Sequence, residues 1–150
     1  MKIVVDFDGT IVNDDHDYYD LITPLALKPG AREALRALHR AGHELILSSG
    51  RANRALRLDW RLNPAWRDGL VPFDVERWSR NQGLNQARYV QMVEFVRTHL
   101  PDIFVFVDDG VQGKVSGDLY IDDRGLRYGA STGWPEIAVA YGDEAEGDDT

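Results

Sequence analysis

Two aspartates, Asp6 and Asp8, stand two residues apart at the end of the apolar run Ile3-Val4-Val5, and Gly9-Thr10 follows at once. A strand needs no acidic end for its own stability, and half-buried carboxylates are costly unless paired or metal-bound. At the carboxyl end of a strand in an open α/β sheet they stand where ligands bind. The pattern recurs along the chain. Ser48, Ser49 and Arg51 follow the apolar run ending at Leu47, Asp108 and Asp109 follow Ile103-Phe104-Val105-Phe106-Val107, and Asp122 and Asp123 follow Leu119-Tyr120-Ile121. Lys114, one of only three lysines, lies between the last two runs. Together these groups suit phosphoryl transfer with Mg²⁺. One carboxylate attacks phosphorus and forms an acyl phosphate. A second, two residues on, protonates the leaving oxygen and later activates water. A hydroxyl and a lysine hold the non-bridging oxygens. Asp6, Asp8, Ser49 and Lys114 match those four roles, with Asp122 and Asp123 completing a Mg²⁺ site.

The elements that would position them read as follows. Residues 2–7 form a buried strand. Pro29-Gly30 opens a helix whose apolar positions are Ala31, Ala34, Leu35 and Leu38, and Ala41-Gly42 ends it. Glu44–Leu47 is a second strand, so the first 50 or so residues form a β-α-β unit with parallel strands. A helix begins near Ala52 and fades before Pro64, and the remainder of 52–83 reads as irregular. Residues 85–99 form a helix with an apolar stripe of Ala87, Val90, Val93 and Phe95 continued by Leu100. Residues 103–107 form a third buried strand and Leu119–Ile121 a short fourth. Trp134–Tyr141 reads as a last short helix or strand. Parallel strands end on one edge of a sheet, so the acidic and hydroxyl groups would converge there.

The 150 residues suit one domain with a single core. A formal net charge of −8 argues against general coating of nucleic acid. Cysteine is absent, which excludes thiol catalysis and thiolate metal sites. No apolar run reaches the ~20 residues of a membrane span. Lys2 leads directly into a strand instead of a leader peptide, so a cytoplasmic location is the default expectation.

The sequence resembles the haloacid dehalogenase superfamily, in its small phosphatase branch. Asp6-Phe7-Asp8-Gly9-Thr10 is similar to the first motif of that family, Leu45-Ile46-Leu47-Ser48-Ser49-Gly50-Arg51 to the second, Lys114 to the third, and Leu119-Tyr120-Ile121-Asp122-Asp123 to the fourth. The motifs stand in the family's order and span residues 6–123. The resemblance implies an α/β fold, a three-layer α/β/α Rossmann-like sandwich with a mainly parallel central sheet. It implies a hydrolase in which Asp6 is nucleophile and Mg²⁺ ligand and Asp8 is general acid/base with its carbonyl on the metal. Ser49 and Lys114 would bind the phosphoryl group, and Asp122 and Asp123 would ligate Mg²⁺. An acid at position 8 points to phosphate esters and away from carbon–halogen bonds.

Residues 1–141 are then one hydrolase domain, with a flap at 11–20, a small insert at 52–83 near the site, and an acidic tail at 142–150 that reads as disordered. The partner is a small phosphorylated substrate. Arg51, Arg54, Arg57 and Arg61 share one helical face, with Arg67 beyond it. That face is either solvated or a site for a second phosphate, a nucleotide or a phosphorylated nucleic-acid end. The second motif also resembles that of the phosphatase part of polynucleotide kinases. A regulatory module that binds Mg²⁺ and phosphate without turnover is the alternative of another class. Asp108 and Asp109 compete with Asp122 and Asp123 as the last acidic pair, and their position ahead of Lys114 argues against them. Nothing in the sequence sets the oligomeric state.

Overall fold

The computed structural model describes residues 1–15, 17–55, 64–70, 72, 74–108, 115–122 and 133–142, with backbone alone at 53–55, 66, 75 and 78. Its centre is a four-stranded sheet in the order β3-β2-β1-β4, made of β1 (Lys2–Val5), β2 (Glu44–Leu47), β3 (Phe104–Val107) and β4 (Leu119–Ile121). Every pairing is parallel, with Val5 opposite both Leu47 and Ile121. Three successive residues are buried in both β1 and β2. Consecutive burial means that both faces of these strands are covered, the usual state of a parallel sheet.

Helix α1 (Ala31–Arg40) lies between β1 and β2 in sequence and buries Ala31, Ala34, Leu35, Ala37 and Leu38 along one side. Gly30 before it and Gly42 after it both have positive φ, 80° and 88°, which the two chain reversals require. Helix α2 (Gly50–Ala55) follows β2, and α3 (Pro64–Arg67) is a single turn. Helix α4 (Val75–His99) packs on α2, and α5 (Trp134–Tyr141) packs on α1. Strand and helix side chains meet in one core that includes Ile3, Val5, Leu35, Leu47, Met92 and Trp134. None of the described helices is long and apolar enough to cross a membrane.

Three expectations are corrected. Helix α4 starts at Val75, ten residues before the expected start, because Asp74 caps it by accepting the Arg77 N–H at 3.0 Å. Its first ten residues are mostly polar and carry Gly83, which hid the helix from an apolar-periodicity reading. The buried line of α4 is also rotated from the expected stripe. Asn85, Arg88, Met92 and Val96 are inside, whereas Val90 is 56% exposed. Strand β3 is an edge strand with Val105 and Phe106 exposed, so it is not a buried strand. The expected tail lies outside the described residues apart from Gly142, as do residues 56–63.

Candidate functional site

The strand ends deliver the acidic groups to one edge of the sheet. The Asp6 N–H donates to Ile121 O at 3.0 Å, which carries the β1–β4 ladder one residue past both strands. Asp6 and Asp122 are thus the first residues beyond two neighbouring parallel strands. Ser48 N–H donates to Val5 O at 2.9 Å and Asp108 N–H to Leu47 O at 2.8 Å, so each strand hands over its successor in the same way.

After Asp6 the chain turns tightly. The N–H groups of Thr10, Ile11 and Val12 all converge on Phe7 O, and Gly9 takes φ 77°. That φ favours glycine, and a side chain there would also displace the Asp14 carboxylate, whose Oδ2 lies 2.9 Å from the Cβ position. The chain then runs out and back as a narrow ribbon, with Asn13 N–H on Ala26 O and Lys28 N–H on Ile11 O. Trp134, fully buried on α5, donates its indole N–H to Thr10 O at 2.9 Å and pins the turn to the core.

Between this turn, the ribbon and α4 lies a cavity of about 400 Å³ lined by Asp6, Asp8, Asp14, Tyr18, Ser49, Gly50, Arg51 and Arg88. Asp6, Asp8, Ser49 and Arg51, all singled out by the sequence, are brought together here. Ser49 is 6% exposed, and its Oγ accepts the Arg51 N–H at 3.2 Å, so it caps the start of α2 while it lines the cavity. Asp122 and Asp108 are not among the lining residues. Asp108 is buried, and its carbonyl accepts the Tyr89 hydroxyl at 3.3 Å. Lys114, Asp123 and Asp109 lie outside the described residues, as do Arg57, Arg61 and the side chain of Arg54.

Arg51 does not stand on an outward basic face. It is 2% exposed and bonded on two sides, to Asp8 and to α4. Nε and Nη2 donate to the two carboxylate oxygens of Asp8, each at 2.8 Å. Nη1 donates to Arg88 O at 2.8 Å and to Gln91 Oε1 at 2.9 Å. This fork-on-fork pairing is the strongest ordinary charge-assisted contact between side chains.

Asp14, Tyr18 and Arg88 were not read from the sequence as site residues. Arg88 Nη2 lies 3.9 Å from Asp8 Oδ2, and its guanidinium sits 3.5 Å over the Tyr18 ring. Tyr19 donates to Asn85 Oδ1 at 3.1 Å, which ties the same loop to α4 one turn earlier. The usable signal was a charged residue, Arg88, in register with Met92 and Val96 at helical spacing, since a charge on a buried line must have a partner.

The donors suit a hard cation in kind, because Asp6, Asp122 and the Asp8 carbonyl offer only oxygen. Among the described residues no group of three or more His, Asp or Glu side chains is arranged to hold a metal ion. Mg²⁺ seldom needs one, since it commonly binds through one or two carboxylates and keeps several waters. Among the described residues, three carboxylates and two guanidiniums line the cavity, a formal charge of −1. Against that lining alone a phosphate dianion would need further positive charge. No protein-family model, curated protein or solved structure matches the chain.

Proposed function

We propose that the chain is a Mg²⁺-dependent phosphomonoesterase of the haloacid dehalogenase type, built as a three-layer Rossmann-like sandwich. The observation that carries this reading is the meeting of Asp6, Asp8 and Ser49 around one cavity, although Ser49 comes from a different strand end, far along the chain from Asp6 and Asp8. In the proposed reaction an Asp6 carboxylate oxygen bonds to phosphorus as the ester P–O bond breaks. Asp8 gives its proton to the departing oxygen. Water then attacks the phosphorus, Asp8 takes the water's proton, and the bond to Asp6 breaks to release inorganic phosphate. The Ser49 hydroxyl would orient the non-bridging oxygens, with Lys114 as a second holder. Asp6, Asp122 and the Asp8 carbonyl would hold Mg²⁺, with Asp123 assisting. When bound, Mg²⁺ would offset the repulsion between carboxylate and phosphate.

The cavity volume suits a small phosphorylated substrate. A basic face for nucleic-acid ends loses Arg51, which is turned inward onto Asp8. The test is hydrolysis of a phosphate-ester panel with and without Mg²⁺, for wild type and Asp6→Asn. Wild type is expected to release phosphate only with Mg²⁺, and Asp6→Asn to lose turnover while keeping its melting profile. An active Asp6→Asn variant would refute the covalent route. Binding of phosphate without turnover by the wild type would favour the regulatory alternative.

A further inference from the structure

We infer that Arg51 is a positioning residue, which holds the Asp8 carboxyl in place for proton transfer and does not itself bind the phosphoryl group. The inference rests on the proposed role of Asp8 as acid and base. Its ground is the bonding of the guanidinium. Four hydrogen bonds of 2.8–2.9 Å fix it, two to Asp8 and two to α4 through Arg88 O and Gln91 Oε1. At 2% exposure Arg51 cannot swing to a substrate oxygen without leaving Asp8 or α4, and only its fifth N–H, the second on Nη2, stands outside these four bonds. Asp8 differs, because its side chain is 28% exposed and lines the cavity. A carboxylate offers about four lone-pair sites, and a bidentate guanidinium takes two of them. The others remain for exchange of a proton on the cavity side. The fork thus fixes the plane of the carboxyl without occupying all of it.

The backing for this clamp is one line of α4. Asn85, Arg88 and Gln91 are spaced three apart and share a face of the helix. Asn85 accepts from Tyr19 of the loop, Arg88 stacks on Tyr18 and supplies its carbonyl to Arg51, and Gln91 supplies a side-chain oxygen. A bidentate guanidinium–carboxylate pair adds geometric specificity as well as energy. An anchored guanidinium suits a group whose position must hold to a fraction of an ångström for catalysis.

The two roles for Arg51 differ in their dependence on the leaving group. An alkoxide must be protonated as it departs, whereas p-nitrophenolate leaves without help. Loss of a positioned acid therefore harms alkyl phosphates selectively, while loss of a phosphate ligand harms both esters alike. The experiment measures kcat/KM with Mg²⁺ for glycerol phosphate and p-nitrophenyl phosphate, using wild type, Asp6→Asn, Arg51→Gln and Gln91→Leu. For Arg51→Gln the alkyl ester should lose about 100-fold or more, in line with general-acid contributions, and the aryl ester less than about tenfold. Gln91→Leu leaves the Asp8 pairing in place and should show the same selectivity at roughly tenfold, and it decides the matter if Arg51→Gln does not fold. Equal losses on the two esters, or a rise in KM alone, would overturn the positioning role. A wild type without Mg²⁺-dependent hydrolysis, or an active Asp6→Asn, would instead overturn the phosphatase reading and this inference with it.

Discussion

Replacing Asp8 by alanine tests the clamp without any assumption about catalysis. The substitution removes both acceptors of a bidentate pair at 2.8 Å and strands a guanidinium that is 2% exposed. Hydrogen bonds to charged groups contribute about 1.5–3 kcal/mol each, and removing one partner of a buried ion pair costs about 3–5 kcal/mol. The Asp8 side of the pair is 28% exposed, so water entering from the cavity would recover part of that loss. Arg51 also keeps its bonds to Arg88 O and Gln91 Oε1. The expected destabilisation is therefore at the lower end, about 3 kcal/mol. For a chain of this length it corresponds to a fall in Tm of roughly 6–12 °C. Urea and thermal unfolding without ligand would measure it, and a double-mutant cycle with Arg51→Met would isolate the pair. The double variant should lose less than the two single losses combined, with a coupling of about 2 kcal/mol. A loss under about 0.5 kcal/mol in Asp8→Ala, or a coupling of that size or less, would refute the reasoning.

Two further substitutions probe the turn that carries Asp8. Gly9→Ala forces an L side chain into φ 77° and places its Cβ 2.9 Å from Asp14 Oδ2. It should destabilise by about 1–2 kcal/mol and depress turnover, and an unchanged urea midpoint would count against the preference for glycine. Trp134→Phe removes the indole N–H on Thr10 O in a fully buried setting. A stranded carbonyl and a smaller ring should together lower stability by about 2–3 kcal/mol, and a Tm within 2 °C of wild type would contradict the pinning of the turn to α5.

The strand ends were legible because the physics there is local. An apolar run that stops at Asp or Ser reads as a buried strand meeting solvent, and parallel pairing then puts the ends of β1, β2 and β4 along one edge. Asp6, Asp8 and the pair Ser48-Ser49 followed from those steps, and the resemblance of Ser49-Gly50-Arg51 to the second motif singled out Ser49. Edge and centre are not local properties. Ile103-Phe104-Val105-Phe106-Val107 is as apolar as β1, yet its place at the end of the order β3-β2-β1-β4 leaves Val105 and Phe106 exposed. The same holds for α4, where the residues that face inward were chosen by what they meet.

Arg51 shows most clearly why the rest was hidden. Helical spacing placed it with Arg54 and Arg57 on a common face, and a row of cations on one face suggests solvent or an anionic ligand. Periodicity fixes which residues point the same way but not which way that is. The deciding partner, Asp8, is 43 positions away, in the turn that follows β1. A carboxylate facing the start of α2 makes it favourable to bury the first arginine of the row, since a paired guanidinium loses less on burial than an unpaired one. The same pairing accounts for Arg88, whose charge lies on the buried line of α4 beside Asp8 and Tyr18. Both arginines are inside because the first motif presents an acid there, so the motif that was easiest to read also determined the packing that was hardest to read.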